Sequence, residues 1–216
     1  MTLELPDVPR WVEAHGIAAD PGGWRESLGG GIVLGHDAAR LIVVAGDVEA
    51  EGVARLAARP HVILVEREDL ALALRAAGRR LERAILHTLP DPDALPDYEG
   101  ATPLGDGAAV PEALAEELAW ARTRGTVWSA WVDGEPVSFA YAPWRSRGLF
   151  DVSVDTLPGA RQLGLATVVA AAMIRDERAQ GREPVWGADE GNQASLRLAK
   201  RLGFEPVDEI WICARS

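Results

Sequence analysis

One cysteine, Cys213, in 216 residues excludes an internal disulfide and any cysteine-built metal cluster. It lies beside Ile210, Trp211 and Ile212, so its thiol reads as a small core residue. No apolar run reaches the roughly 18 residues a membrane span needs, and no signal-peptide pattern opens the chain. The expected location is the cytoplasm, with no membrane partner. Positive charge is scarce: 22 Lys and Arg against 33 Asp and Glu leave a net charge of −11. That balance argues against nucleic acid or an anionic surface as the main partner. It suits a cationic substrate such as an amine, and it also serves solubility alone. His15, His36, His61 and His87 are scattered without ligand spacing, so no metal site is expected. No Ser-His or Cys-His pair suggests an acyl-enzyme, and no internal repeat or low-complexity run is visible. What remains is an ordinary globular composition, 48% apolar and 25% charged, long enough to bury a real core.

The stretch Leu149–Thr167 (LFDVSVDTLPGARQLGLAT) carries most of the chemistry. Phe150, Val152 and Val154 alternate with Asp151 and Ser153, which predicts a half-buried strand over Phe150–Val154. Leu157-Pro158-Gly159 breaks it. Leu165, Val168, Val169, Ala172 and Met173 then recur with helical spacing and predict a helix to about Gln180. A helix start offers unpartnered N–H groups and the positive end of the dipole to an anion. Gly164 allows close approach to the backbone and Arg161 supplies charge, so the loop reads as a pyrophosphate cradle.

The Arg161-Gln162-Leu163-Gly164-Leu165-Ala166 run resembles the R/Q-x-x-G-x-G/A signature of the GNAT N-acetyltransferases. Pro184–Phe204 (PVWGADEGNQASLRLAKRLGF) resembles the next GNAT motif: strand, Asn-x-x-Ser, and a helix ending in Leu-Gly-Phe. The subgroup it most resembles includes the zwittermicin-resistance-type acetyltransferases, and the likeness runs from Val127 to Ile212. It implies an α/β (α+β) GNAT fold, a mixed, splayed central sheet flanked by helices, with a smaller N-terminal α/β unit. It further implies acetyl-CoA as acyl donor, with no metal. By the same resemblance Val154, Asp155 and Thr156 hold the pantetheine arm by their backbone. Arg161, Gln162, Leu163, Gly164, Leu165, Ala166 and Thr167 wrap the pyrophosphate, and Asn192 and Ser195 touch the arm. Asn192 also fits a plain helix N-cap.

Asp151 is the candidate general base, because the resembling subgroup carries Glu in that strand. A carboxylate needs burial to raise its pKa before it works near neutrality; otherwise Asp151 is solvated or bonds backbone. Asp189 and Glu190 are the next candidates. Many GNAT enzymes carry Tyr where this chain has Ala199, so the departing thiolate lacks that acid. Trp128, Trp131, Trp144 and Trp186 read as core or pocket wall, and Trp186 would border the acceptor.

Pro90, Pro92, Pro96 and Pro103 mark a linker over Pro90–Gly107. The expected domains are therefore 1–95, a scaffold or lid that is a degenerate relative of the same fold or an unrelated unit, and 96–216, the GNAT domain. In the first half residues 1–35 look irregular, Gly29-Gly30-Gly31 a turn without Walker context. Leu41–Ala45 and His61–Val65 then read as strands, with helices from Asp47 to about Ala58 and over Glu68–Ala77. Gly46 does not complete a dinucleotide fingerprint. A helix from Pro111 and a hairpin over Val127–Tyr141, turning at Asp133-Gly134, follow the linker. The expectation is acetyl transfer to a small primary amine by direct attack, in a monomer or homodimer without nucleic acid. The alternatives are a non-catalytic acyl-CoA sensor, or an α/β protein whose cradle is coincidence.

Overall fold

The structure, a computed structural model, describes residues 5–95 and 97–215; Pro96 of the proline-marked linker lies outside the described residues. The first half runs α1 (Val12–Ala19), β1 (Gly23–Leu28), β2 (Gly31–His36), β3 (Leu41–Ala45), α2 (Ala50–Ala57), β4 (Val62–Val65), α3 (Glu68–Ala76) and β5 (Arg79–Thr88). After a short β6 (Ala101–Pro103) come α4 (Ala115–Arg122), β7 (Trp128–Val132), β8 (Glu135–Tyr141), β9 (Leu149–Asp151) and β10 (Ser153–Thr156). The chain ends with α5 (Leu165–Ala179), β11 (Glu183–Asp189), α6 (Gln193–Arg201) and β12 (Glu205–Arg215).

Helix, hairpin, strand, helix, strand, helix, strand therefore occurs twice, although the sequence shows no repeat. The repetition is one of topology. Eight strands form one sheet in the order β1-β2-β3-β4-β12-β5-β11-β9, and β10-β8-β7-β6 form a second. Pairing is parallel for β3 with β4 and for β11 with β9, and antiparallel for β4–β12, β12–β5 and β5–β11. The last strand of each half thus lies against the other half: β12 beside β4, and β5 beside β11. The long β5–β12 ladder, from Thr88↔Glu205 to Arg79↔Arg215, joins them at the centre.

The first 35 residues correct the expectation of irregular chain. They form α1 and the β1–β2 hairpin, closed by Gly29 in the left-handed region. Helix α1 reads VEAHGIAA, and Val12, Ala14, Gly16 and Ile17 are all buried. Its apolar and small residues run around the helix without a 3.6-residue rhythm to detect. Two helix starts also differ: Glu49, not Asp47, precedes α2, and a short 3-10 turn over Glu112–Leu114 separates Pro111 from α4.

Four apolar clusters hold the layers together. Helix α5 places Val169, Ala170, Met173 and Ile174 against Phe150, Val152, Trp186 and Ala188 on one sheet face. On the opposite face α1 packs Ala14 and Ile17, and the residue before it, Trp11, against Trp144, Leu86 and Ile210. Helices α2 and α3 cover β3 and β4, where Cys213 is fully buried, as its apolar surroundings imply. Helix α4 covers Phe139 and Tyr141.

Candidate active site

The strand expected over Phe150–Val154 is divided. Leu149–Asp151 pairs with Glu183–Val185 of β11, and the Val152 N–H donates to the Val185 carbonyl at 3.0 Å. Beyond that bond the strands part: β10 pairs with β8, while β11 continues from Trp186 along β5 alone. The result is a V-shaped opening with its apex at Val152 and Val185. Period-2 alternation continues across the break, which is why the sequence showed one strand.

A groove of about 660 Å³ fills this opening. Its walls are Val152–Thr156 on one side, Trp186 and Gly187 on the other, the loop from Ala160 into α5 below, and α6 from Asn192 to Arg201 beside it. In an antiparallel ladder alternate residues turn their backbone toward or away from the partner. Leu157 N–H donates to the Val137 carbonyl at 2.9 Å, so Ser153 and Asp155 face β8 and the backbone of Val154 and Thr156 faces the groove. The Asp155 carboxylate lies elsewhere, accepting the Tyr141 hydroxyl at 2.9 Å. Burial and that carboxylate raise the Tyr141 pKa far above the usual phenol value.

The loop after β10 bends through two left-handed residues, Gln162 at φ 66° and Gly164 at φ 81°. Gly164 takes the N-cap position of α5 without any side-chain cap. The first N–H groups of a 15-residue helix are thus aimed at the groove. Arg161, Arg197 and Arg201 line the same groove, and none has a carboxylate partner among the described residues. Arg161 donates only to the Thr156 carbonyl, at 3.4 Å. Three guanidiniums without a carboxylate partner along one groove, in a chain of net charge −11, suit an anion. Arg197 and Arg201 were missed from sequence; their signal was the i, i+4 spacing on α6.

All the residues expected at the donor site line this groove except Leu163, which is 60% exposed and turned outward. Asn192 caps α6, its Oδ1 accepting the Ser195 N–H at 3.1 Å. The Ser195 hydroxyl accepts the Trp186 indole N–H at 2.9 Å, which leaves its own O–H free to donate into the groove. Trp186 is buried against Phe204. Ala199 is fully buried in the core, so that position offers no proton.

Asp151 stands at the apex, on the face away from α5. Its neighbours Phe150 and Val152 point into the α5 cluster, and its N–H donates to the Trp144 carbonyl at 2.9 Å. Burial pushes its carboxyl up to about 7, from an ordinary value near 4. Glu190 behaves oppositely: Arg83 bonds it at 2.5 Å and holds its carboxyl below the usual range, which makes it a poor base. Asp189 ends β11 and is only partly buried. Among the described residues no group of three or more His, Cys, Asp or Glu could hold a metal.

A sheet splayed beside an uncapped helix start defines the architecture of the GNAT fold. More particularly, the family model for GNAT acetyltransferase matches residues 122–212, the segment that builds the groove. The fold extends further. A GNAT-family protein from Novosphingobium aromaticivorans superposes with a TM-score of 0.66 at 20% identity, covering 97% of this chain and 98% of that one. A GCN5-related N-acetyltransferase-like protein from Streptococcus suis gives 0.65 at 16%, covering 95% and 98%. A GCN5-related N-acetyltransferase from Kribbella flavida gives 0.64 at 19%, covering 96% and 94%. Likeness at these identities is likeness of fold. No curated protein matches the chain in sequence.

Proposed function

We propose that this protein is an N-acetyltransferase that uses acetyl-CoA to acetylate a primary amine by direct attack. Within the GNAT fold we place it nearest the zwittermicin-resistance-type subgroup, on Pro184-x-Trp186 and on Asn192-x-x-Ser195 before Leu202-Gly203-Phe204. The observation that carries the assignment is one groove, at the foot of a splayed strand pair, lined by the start of α5 and by Arg161, Arg197 and Arg201. Phosphates match that charge and those N–H groups. An extended amide-bearing arm matches the backbone edge of Val154 and Thr156.

When bound, acetyl-CoA supplies an activated thioester carbonyl. The chain's own residues do the rest. Val154 and Thr156 offer backbone groups along the arm, and donors preorganised there also steady a developing oxyanion. Asp151 at the apex takes a proton from the incoming ammonium, a task suited to a base titrating near neutrality. Ala199 leaves the thiolate without an acid, which a thiol of pKa about 8.5 tolerates near neutral pH.

The test is thermal melting with and without millimolar acetyl-CoA, followed by thiol release over a panel of amines. Ligand at about 100 times its dissociation constant adds roughly 2.7 kcal/mol. A rise in Tm together with amine-dependent thiol release supports the transferase. A rise without turnover on any amine makes the protein an acyl-CoA sensor, and no rise removes the donor site altogether.

A further inference from the structure

Helix α1 belongs to the first half of the chain, yet it lies over the apex of the groove. It packs on β9 as well as on β1 and β2. At Gly16 it presses so close to Trp144 that an added Cβ would come within 2.8 Å of the indole. Trp144 is the residue whose carbonyl holds the Asp151 N–H. Glu13 precedes Gly16 by three positions, so the two share the helix face turned toward Trp144 and Asp151. Within α1, Glu13 is the one carboxyl.

Glu13 and Asp151 have no cation beside them among the described residues. Other part-buried carboxylates are held by a charge or a donor side chain: Glu177 has Arg145 and Arg182, Asp20 has Arg124, Asp208 has Arg10, Asp155 has the Tyr141 hydroxyl and Asp176 the Trp128 indole N–H. Among the described residues neither Glu13 nor Asp151 has a hydrogen bond to another side chain or an ion pair; each carboxyl has only a backbone N–H beside it, Glu13 its own and Asp151 that of Val152. Charged groups on the elements packed against them engage elsewhere. Glu26 pairs with Arg59, His36 with Asp20, Arg10 with Asp208, and Glu183 with Arg178. Neither Arg25 on β1 nor Asp189 on β11 forms an ion pair with either of them. Two carboxyls facing one another without a counter-ion cannot both ionise cheaply.

Resting on the transferase assignment for its role, we propose that Glu13 is a positioning residue for Asp151: the two carboxyls share one proton across the α1–β9 contact, and the first half of the chain thereby sets the protonation of the base. Desolvation and the Asp151 charge raise Glu13 to about 8, against the pull of its place in the first turn of α1. The N-terminal half is therefore part of the site.

Side-chain carboxyl 13C NMR on Asp- and Glu-labelled protein reads this directly. It is run across pH for the wild type, Glu13→Gln and Asp151→Asn. In the wild type both carbons are expected to titrate well above the ordinary carboxylate range, each curve carrying an inflection from the other group. Asp151→Asn should bring the Glu13 midpoint down by about one pH unit or more, and Glu13→Gln should lower the Asp151 midpoint and remove the second inflection from its curve, leaving the part of its raise that burial supplies. If one variant does not fold, the other alone decides. An Asp151 midpoint unmoved by Glu13→Gln, or wild-type midpoints in the ordinary range, overturns the proposal. With a competent amine, the acid limb of kcat/KM should shift with the Asp151 midpoint, a change that mere loss of packing would not produce. Shifted titrations in a protein that acetylates no amine leave the pair standing and remove the transferase assignment instead.

Discussion

Glu177 and Asp151 show how the same chemical group is put to opposite uses by its neighbours. Glu177 is 3% exposed, and Arg145 and Arg182 converge on its carboxylate, Arg182 at 2.8 Å. Their hydrogen bonds and charges overcome burial and hold its pKa below the usual range. Its stabilisation is thus present above the ordinary glutamate value and fades as pH falls through the lower folded one. Glu177→Gln leaves two guanidiniums facing an uncharged amide. It should cost about 3 kcal/mol, or roughly 6–12 °C in Tm, at neutral pH, and thermal melts should show that gap narrowing below about pH 4. The Glu13–Asp151 pair has the reverse sign. Folded pKa values of about 8 and 7 mean that stability falls as pH rises from the ordinary carboxylate range through those values. Glu13→Gln should therefore leave Tm unchanged near pH 5 and raise it near pH 9, as measured by the same melts.

At the scale of single elements, the turn into α5 concentrates the site's backbone geometry. Gly164 sits at φ 81° with nothing within 4 Å of an added Cβ, so any penalty of a side chain there is conformational. Gly164→Ala should cost about 1 kcal/mol in stability and weaken acetyl-CoA binding in titration calorimetry by shifting the first N–H groups of α5. Gly159→Ala is the control: it has equally open space and no left-handed φ. Equal affinities for the two variants would remove the turn from the binding site. This element was legible in advance because a strand, a glycine and an apolar period of 3.6 are all local signals. The hairpin turning at Asp133 and Gly134 was legible for the same reason. Helix α1 was not, because Ala14, Gly16 and Ile17 are buried around its circumference and leave no periodicity. Leu163 was placed in the groove by its neighbours in sequence, but the left-handed Gln162 before it reorients the chain. Glu13 gave no signal at all, since nothing local ties a residue of the first helix to Asp151.

For the molecule as a whole, the exchange of final strands makes the two halves depend on one another. A division near residue 95 follows the proline-rich connection, but the sheet runs straight across it. Strand β5 of the first half lies between β12 and β11, with Ala84 and Leu86 paired to both. Residues 96–216 alone would therefore keep every groove-lining residue yet lose the strand that backs β11. Three edges would open, one of β11 and both of β12, which pairs only with β4 and β5, each with unpaired backbone groups. The buried face that Trp144 and Ile210 present to α1 would also meet water. Loss of a central strand exceeds what a domain of marginal stability can absorb. Fragment 96–216 expressed alone should thus be aggregated or unfolded by circular dichroism and should not bind acetyl-CoA. Co-expression with fragment 1–95 should restore a soluble complex that binds it, because the β5–β12 ladder can form between chains as well as within one. A folded, acetyl-CoA-binding 96–216 fragment would show instead that β11 and β12 close on each other. The first half would then be a removable cover, and its Glu13 an accessory to a site that stands without it.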